Sequence, residues 1–215
     1  MENEAGIELL RAASEALPAP KGELLRVLHR FTGRRRAAAG VCRGRLLDAL
    51  AAEDADAAEA ELHAFLRESW EALDGLAREV NLCMEHLFPE VGLYPPLEMT
   101  RQCTFYVVRK KLHEHPATAS HPVTRLLWAR TRERPDAAYR RVSFLYNLSL
   151  FCPVPLGPGG MLPGSDDIPH AVRPLLKPSA VPPAGAGEAS GEILRWLAEL
   201  SAQIYATLAA SLVGG

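Results

Sequence analysis

The stretch that decides the fold runs from Asp54 to Phe88, DADAAEAELHAFLRESWEALDGLAREVNLCMEHLF. Within it Leu62, Leu66, Ser69, Leu73, Leu76, Val80, Cys83 and Leu87 recur at alternating spacings of four and three. That stagger keeps one seam of an α-helix against a partner. His63, Trp70, Ala77 and Met84 flank the seam on one side and Phe65 and Ala72 on the other. A stripe this broad touches more than one neighbour, which predicts the central helix of a bundle rather than one strand of a two-stranded coil. Arg67, Glu68, Glu71, Asp74, Arg78 and Glu85 take the remaining face and are expected in solvent, with Asp74 four residues ahead of Arg78. Asp54 or Asp56 is the expected N-cap.

Upstream, residues 4–17 read as a short helix with Ile7, Leu10, Ser14 and Leu17 inward, ended by Pro18 and Pro20. A second helix starts near Lys21 with Leu24, Leu28 and Phe31 in register, and Ala38, Cys42, Leu46 and Leu50 resume the pattern. Gly33, Gly40 and Gly44 each weaken a helix by about 1 kcal/mol. The expectation is therefore one weakened helix or two broken near Gly33.

Downstream of the break at Pro89 to Pro96, helices are predicted around Met99 to Leu112, from Pro122, and from Pro135 onward. The last of these is apolar almost all round after Arg141. Residues 152–189 hold nine prolines and six glycines in 38 positions, the composition of a wrapping arm, a lid or a linker. Met161, Leu162, Ile168, Val172, Leu175 and Leu176 give its first part apolar surface to lie on the bundle, and Pro182 to Gly187 reads as a mobile tether. A final helix from about Ser190 repeats the four-three stagger through Ile193, Leu197, Leu200, Ile204 and Leu208, a natural partner for the central one. The prediction is an all-α fold: an antiparallel bundle of seven or eight helices, a single domain over residues 1–215, with a Pro/Gly-rich arm at 152–189 before a C-terminal helix at 190–212.

A net charge of -2 and 48% hydrophobic residues fit a globular chain and argue against wholesale nucleic-acid or membrane-surface binding. The charge is unevenly spread: residues 91–150 carry ten basic and four acidic side chains, against eleven and seventeen in residues 1–90. Cys42, Cys83, Cys103 and Cys152 show no Cys-x-x-Cys spacing. The start, Met1-Glu-Asn-Glu, has no apolar run, and no stretch reaches the roughly 18 to 20 apolar residues of a membrane span. A cytoplasmic protein with no membrane partner is expected.

Four features carry possible chemistry. His113, His115 and His121, with Glu114, have ligand chemistry, but 113 and 115 point about 200° apart on a helix, the wrong spacing for a shared metal. The ordinary reading is a helix C-terminus whose imidazoles face the negative end of its dipole. No metal and no cofactor is expected. Arg101, Arg109, Lys110, Arg125, Arg140 and Arg141 lead a basic face whose guanidinium groups fork onto carboxylates or phosphates; the ordinary reading is a solvated surface that offsets the acidic first 90 residues. Asp166, Asp167 and His170 form an acid-base set or, more ordinarily, turn and cap chemistry. Ser69 and Asn147 either fix helix register through buried hydrogen bonds or satisfy local carbonyls.

No Gly-x-Ser-x-Gly, paired Glu-x-x-His or dinucleotide fingerprint is present. The function expected is that of a non-enzymatic bundle, an adaptor, regulator or chaperone-like accessory, binding another macromolecule through the basic face of residues 101–141. Its partner would be an acidic protein segment or anionic ligand, with self-association as a further possibility. The alternative is an enzyme that clamps a small anionic or phosphorylated substrate with arginines and uses His113, His115, His121 or His170 for proton transfer.

Overall fold

A computed structural model of the protein describes residues 4–93, 103–168 and 181–214. The heptad-spaced stretch forms α3, Ala55–Leu87, and Asp54 caps it by accepting from the Ala57 amide at 3.0 Å. The seam from Leu62 to Cys83 is buried at every position. Burial extends well beyond the seam: every residue from Ala72 to Met84 is buried except Arg78, which is half-buried. The face expected in solvent is therefore covered in part. Glu68 is buried and takes both its oxygens to Arg35, at 2.9 and 3.2 Å. Asp74 is buried and accepts from the amide of Phe105, at the start of the next long helix, at 2.8 Å. Burial raises the Asp74 pKa, against the pull of that hydrogen bond and of Arg78.

Ahead of α3 lie α1, Glu4–Ala16, and α2, Ala19–Ala51. The second is unbroken across Gly33. Its Gly33, Gly40 and Gly44 are offset by packing of its inner side rather than by local propensity. That inner row is Leu25, His29, Thr32, Ala39 and Leu46, displaced by one position from the expected Leu24, Leu28 and Phe31, which are half-buried. The inner side of α1 is likewise Gly6, Leu9, Ala13 and Leu17, leaving Ile7 55% exposed and Ser14 outside.

Between α2 and α3 the chain turns through Glu53 at φ 58°, with Asp54 N donating to Ala49 O at 3.0 Å and Glu53 N to Leu50 O at 3.2 Å. This is the Schellman stop, which favours glycine at the left-handed position. Glu53→Gly is expected to stabilise the protein by about 1 kcal/mol, read as a higher urea midpoint with an unchanged slope.

After α3 come a 3₁₀ turn, Pro89–Val91, then α4, Phe105–Glu114, α5, Pro116–Ala119, and α6, Pro122–Trp128, which runs directly into a π-helical turn, Ala129–Glu133. Helix α7 spans Ala137–Ser149 and α8 spans Ala186–Gly214. The fold is all-α, with eight α-helices among the described residues. The only strands described are two-residue segments, β1, Met161–Leu162, antiparallel to β2, Ala184–Gly185. Pro182 to Gly187, expected as a tether, thus holds β2 and the first turn of α8, which begins four residues before Ser190. Val172, Leu175 and Leu176 lie outside the described residues. Helix α8 is also the one described helix long and apolar enough, by length and composition, to cross a membrane, contrary to the expectation that no stretch is. Its Ile193, Leu197, Leu200, Ile204 and Leu208 are all buried within the protein.

Two compact units are built from these elements. The first contains residues through Arg34, Glu71–Arg134 and the chain from Ala198; the second contains Arg35–Trp70 and Pro135–Leu197. Helices α2, α3 and α8 each contribute to both. In the second unit the described part of the Pro/Gly-rich arm is held by side chains of α3. His63 Nε2 accepts from Val154 N at 2.9 Å and Glu59 Oε1 from Leu156 N at 3.4 Å, while Val154, Leu162, Ile168 and Val181 are buried.

Candidate functional site

In the first unit one carboxyl group gathers side chains from three helices. Glu79 on α3 is fully buried, and its Oε1 accepts from Thr32 Oγ1 of α2 and from Tyr205 OH of α8, the latter at 3.1 Å. Its Oε2 lies 2.8 Å from His29 Nδ1 of α2, and the imidazole tilts against the Tyr205 ring with centroids 4.9 Å apart. Thr32 and Tyr205 are 0% exposed and His29 3%. An acid, an imidazole and a phenol within hydrogen-bond reach could move protons, but this set is closed to solvent and its members satisfy one another. Glu79 was not singled out by the sequence pattern. A signal was present: the Phe65 and Ala72 flank, extended by seven, lands on it.

The geometry around Glu79 is tight. A Cβ placed on Gly75, one helical turn earlier on α3, would meet Thr32 Oγ1 at 2.6 Å and Phe31 at 3.3 Å. Glycine is needed there for α2 to approach α3, not for a special backbone conformation.

The histidines expected at a helix C-terminus serve two different purposes. His113, in the last turn of α4, stacks on Trp128 with centroids 3.5 Å apart. His115 Nδ1 accepts from Ala117 N at 3.3 Å, capping α5, and His121 Nδ1 accepts from Val123 N at 3.2 Å, capping α6. Accepting requires an unprotonated nitrogen, the reverse of the expected interaction of protonated imidazoles with a dipole. His121 Nε2 is 3.2 Å from Ser211 Oγ and its ring meets Phe88 edge-on. Burial lowers its pKa, which suits that role. No group of three or more His, Cys, Asp or Glu able to hold a metal occurs among the described residues.

The basic residues divide between surface and interior. Arg109 is 4% exposed, and its Nη1 donates to Thr131 O at 3.1 Å and Thr131 Oγ1 at 2.8 Å, pinning the π turn, with Tyr106 and Trp128 against its guanidinium. Arg141, in the second unit, is also buried and donates to Glu192 Oε2 at 2.9 Å. Both are packing residues, so neither contributes to an exposed face. Arg140 is half-buried and Arg101 lies outside the described residues. Lys110, Arg125, Arg132 and Arg134 are exposed. Lys110 pairs loosely with Glu114 at 3.8 Å, whereas the guanidinium groups of Arg125, Arg132 and Arg134 form no ion pair or hydrogen bond among the described residues.

The remaining candidates are structural. Asp167 Oδ2 accepts from Gly164 N at 2.7 Å, turn chemistry, and His170 lies outside the described residues. Asn147 Nδ2 donates to its own helix at Ser143 O. Ser69 Oγ is buried with no hydrogen-bond partner among the described residues, so it fixes no register. Burial raises the thiol pKa of Cys42 and Cys83 and pushes that of Cys103 up to about 12, which disfavours the nucleophilic thiolate in each. No protein family, curated protein or solved structure matches the chain.

Proposed function

We propose that the protein works by binding an acidic protein segment, with Lys110, Arg125, Arg132 and Arg134 as the contact residues. One observation carries this reading. Residues 103–134 hold seven basic side chains and two acidic ones, and the guanidinium groups of three of the exposed arginines have no partner among the described residues to offset them. A surface that merely balanced the acidic first 90 residues would have those arginines paired with them. The converging acid and base groups, by contrast, are locked around Glu79 away from any substrate, which favours binding over catalysis.

The test is fluorescence anisotropy of a labelled Asp/Glu-rich peptide titrated with the whole protein. Changing Arg125, Arg132 and Arg134 together to Ala is expected to weaken binding at least tenfold, and raising salt from about 50 to about 500 mM to weaken it similarly. Peptide affinity that ignores both the triple substitution and salt would overturn the proposal.

A further inference from the structure

A second charged surface lies on α1 and α2. Arg26, Arg30 and Arg34 follow one another at four-residue spacing on the outer side of α2, all exposed and none with an ion pair among the described residues. Successive guanidiniums in such a row stand about 6 Å apart along the axis and repel one another. The neighbouring helix carries the complement: Glu4, Glu8 and Glu15 on α1 are exposed and equally unpaired among the described residues. The two helices are in van der Waals contact next to the turn that joins them, where a Cβ on Gly22 would lie 3.8 Å from Ala13 O. Each row also presents one large aliphatic side chain to solvent, Ile7 at 55% and Val27 at 51% exposure.

We infer that this face is an interface between two copies of the chain, with α1 of each copy set on α2 of the other. A two-fold contact needs a surface complementary to itself, and an acidic row beside a basic row on one unit is such a surface. A polyphosphate laid along the arginines would run beside the α1 carboxylates, which disfavours nucleic acid as the occupant. Arg11 and Glu23, exposed and of opposite sign within their rows, give the contact a register rather than a uniform field. A face of roughly 20 Å by 20 Å buries about 800 Å² over both copies, below the standard size for a specific interface, so the dimer is a weak, transient one held by charge pairing. This surface is separate from the arginines assigned to the acidic partner, so the two proposals fail independently.

Sedimentation equilibrium over a wide concentration range tests it, using the whole protein and two charge-reversed variants. One carries Glu8→Arg with Glu15→Arg, the other Arg30→Glu with Arg34→Glu. All four positions are exposed, and circular dichroism confirms folding. Wild type is expected to show a monomer–dimer equilibrium, each variant alone to dissociate at least tenfold more readily, and an equal mixture of the two to regain dimer, because reversal on opposite helices restores both contacts. A wild type that stays monomeric, a dimer indifferent to either reversal, or a mixture of folded variants that fails to associate would each overturn the inference. Binding of labelled polyuridylate, lost in the Arg30→Glu, Arg34→Glu variant with wild type monomeric, would assign the row to nucleic acid instead.

Discussion

Glu79→Ala is expected to lower stability by about 3–5 kcal/mol, the range for removing one member of a buried polar cluster. The loss has two sources. Three hydrogen bonds disappear, and although Thr32 Oγ1 can still donate to Leu28 O at 3.1 Å, the polar atoms of His29 and Tyr205 lose the carboxylate in an interior where an unpaired group costs about 1–3 kcal/mol. A small cavity adds to this. In a chain of this size the change corresponds to a thermal midpoint lower by roughly 6–20 °C. The cluster also predicts a diagnostic contrast. Replacing all four members by apolar residues of similar shape, His29→Leu, Thr32→Val, Glu79→Leu and Tyr205→Phe, is expected to recover most of what Glu79→Ala loses, because no polar group is then stranded. Urea unfolding of the two variants checks both statements. Equal destabilisation would show that the cost lies in shape and not in stranded polarity.

The second large effect is expected at Gly75. Gly75→Ala adds one methyl group, yet that methyl would sit 2.6 Å from the Thr32 hydroxyl, itself hydrogen-bonded to Glu79. Helices α2 and α3 must separate locally or Thr32 must leave its partner, at a cost of about 1–3 kcal/mol. Thr32→Ser retains the hydroxyl and gives no relief. Thr32→Ala removes the clashing atom, so the double variant Gly75→Ala, Thr32→Ala is expected to be less destabilised than the two single changes combined. Additive losses measured by thermal unfolding would contradict this reading of the contact.

The all-α class, the extent of α3 and the buried seam of α8 were legible because apolar residues at regular spacing report burial directly. The errors share one physical cause. On α2 the buried row contains His29 and Thr32, so a pattern based on hydrophobicity selects Leu24, Leu28 and Phe31, about 100° away around the helix. On α1 the buried row joins Leu9 to the small residues Gly6, Ala12 and Ala13, which carry little hydrophobic signal, while Ile7 faces water. Glu68 and Asp74 read as solvent-facing because a carboxyl group normally is, and their partners Arg35 and the Phe105 amide are 33 and 31 residues distant in sequence. Arg109 and Arg141 read as surface for the same reason. Long-range polar pairing leaves no local periodicity, which is why the interior of the candidate site was the least visible part of the chain.

These features place the chemistry of the molecule in two locations. Polar groups that converge are spent on holding α2, α3 and α8 together in the first unit, whereas the guanidinium groups of Arg125, Arg132 and Arg134 are exposed with no partner among the described residues. Helix α3 is the core element of the first unit, and native-state hydrogen exchange measures this most directly. Amides from Leu73 to Met84 are expected to exchange slowest, at the free energy of global unfolding, with those around Thr32 and Tyr205 close behind and those of α1 and α6 faster. Amides of that α3 stretch exchanging as readily as those of α1 would contradict it.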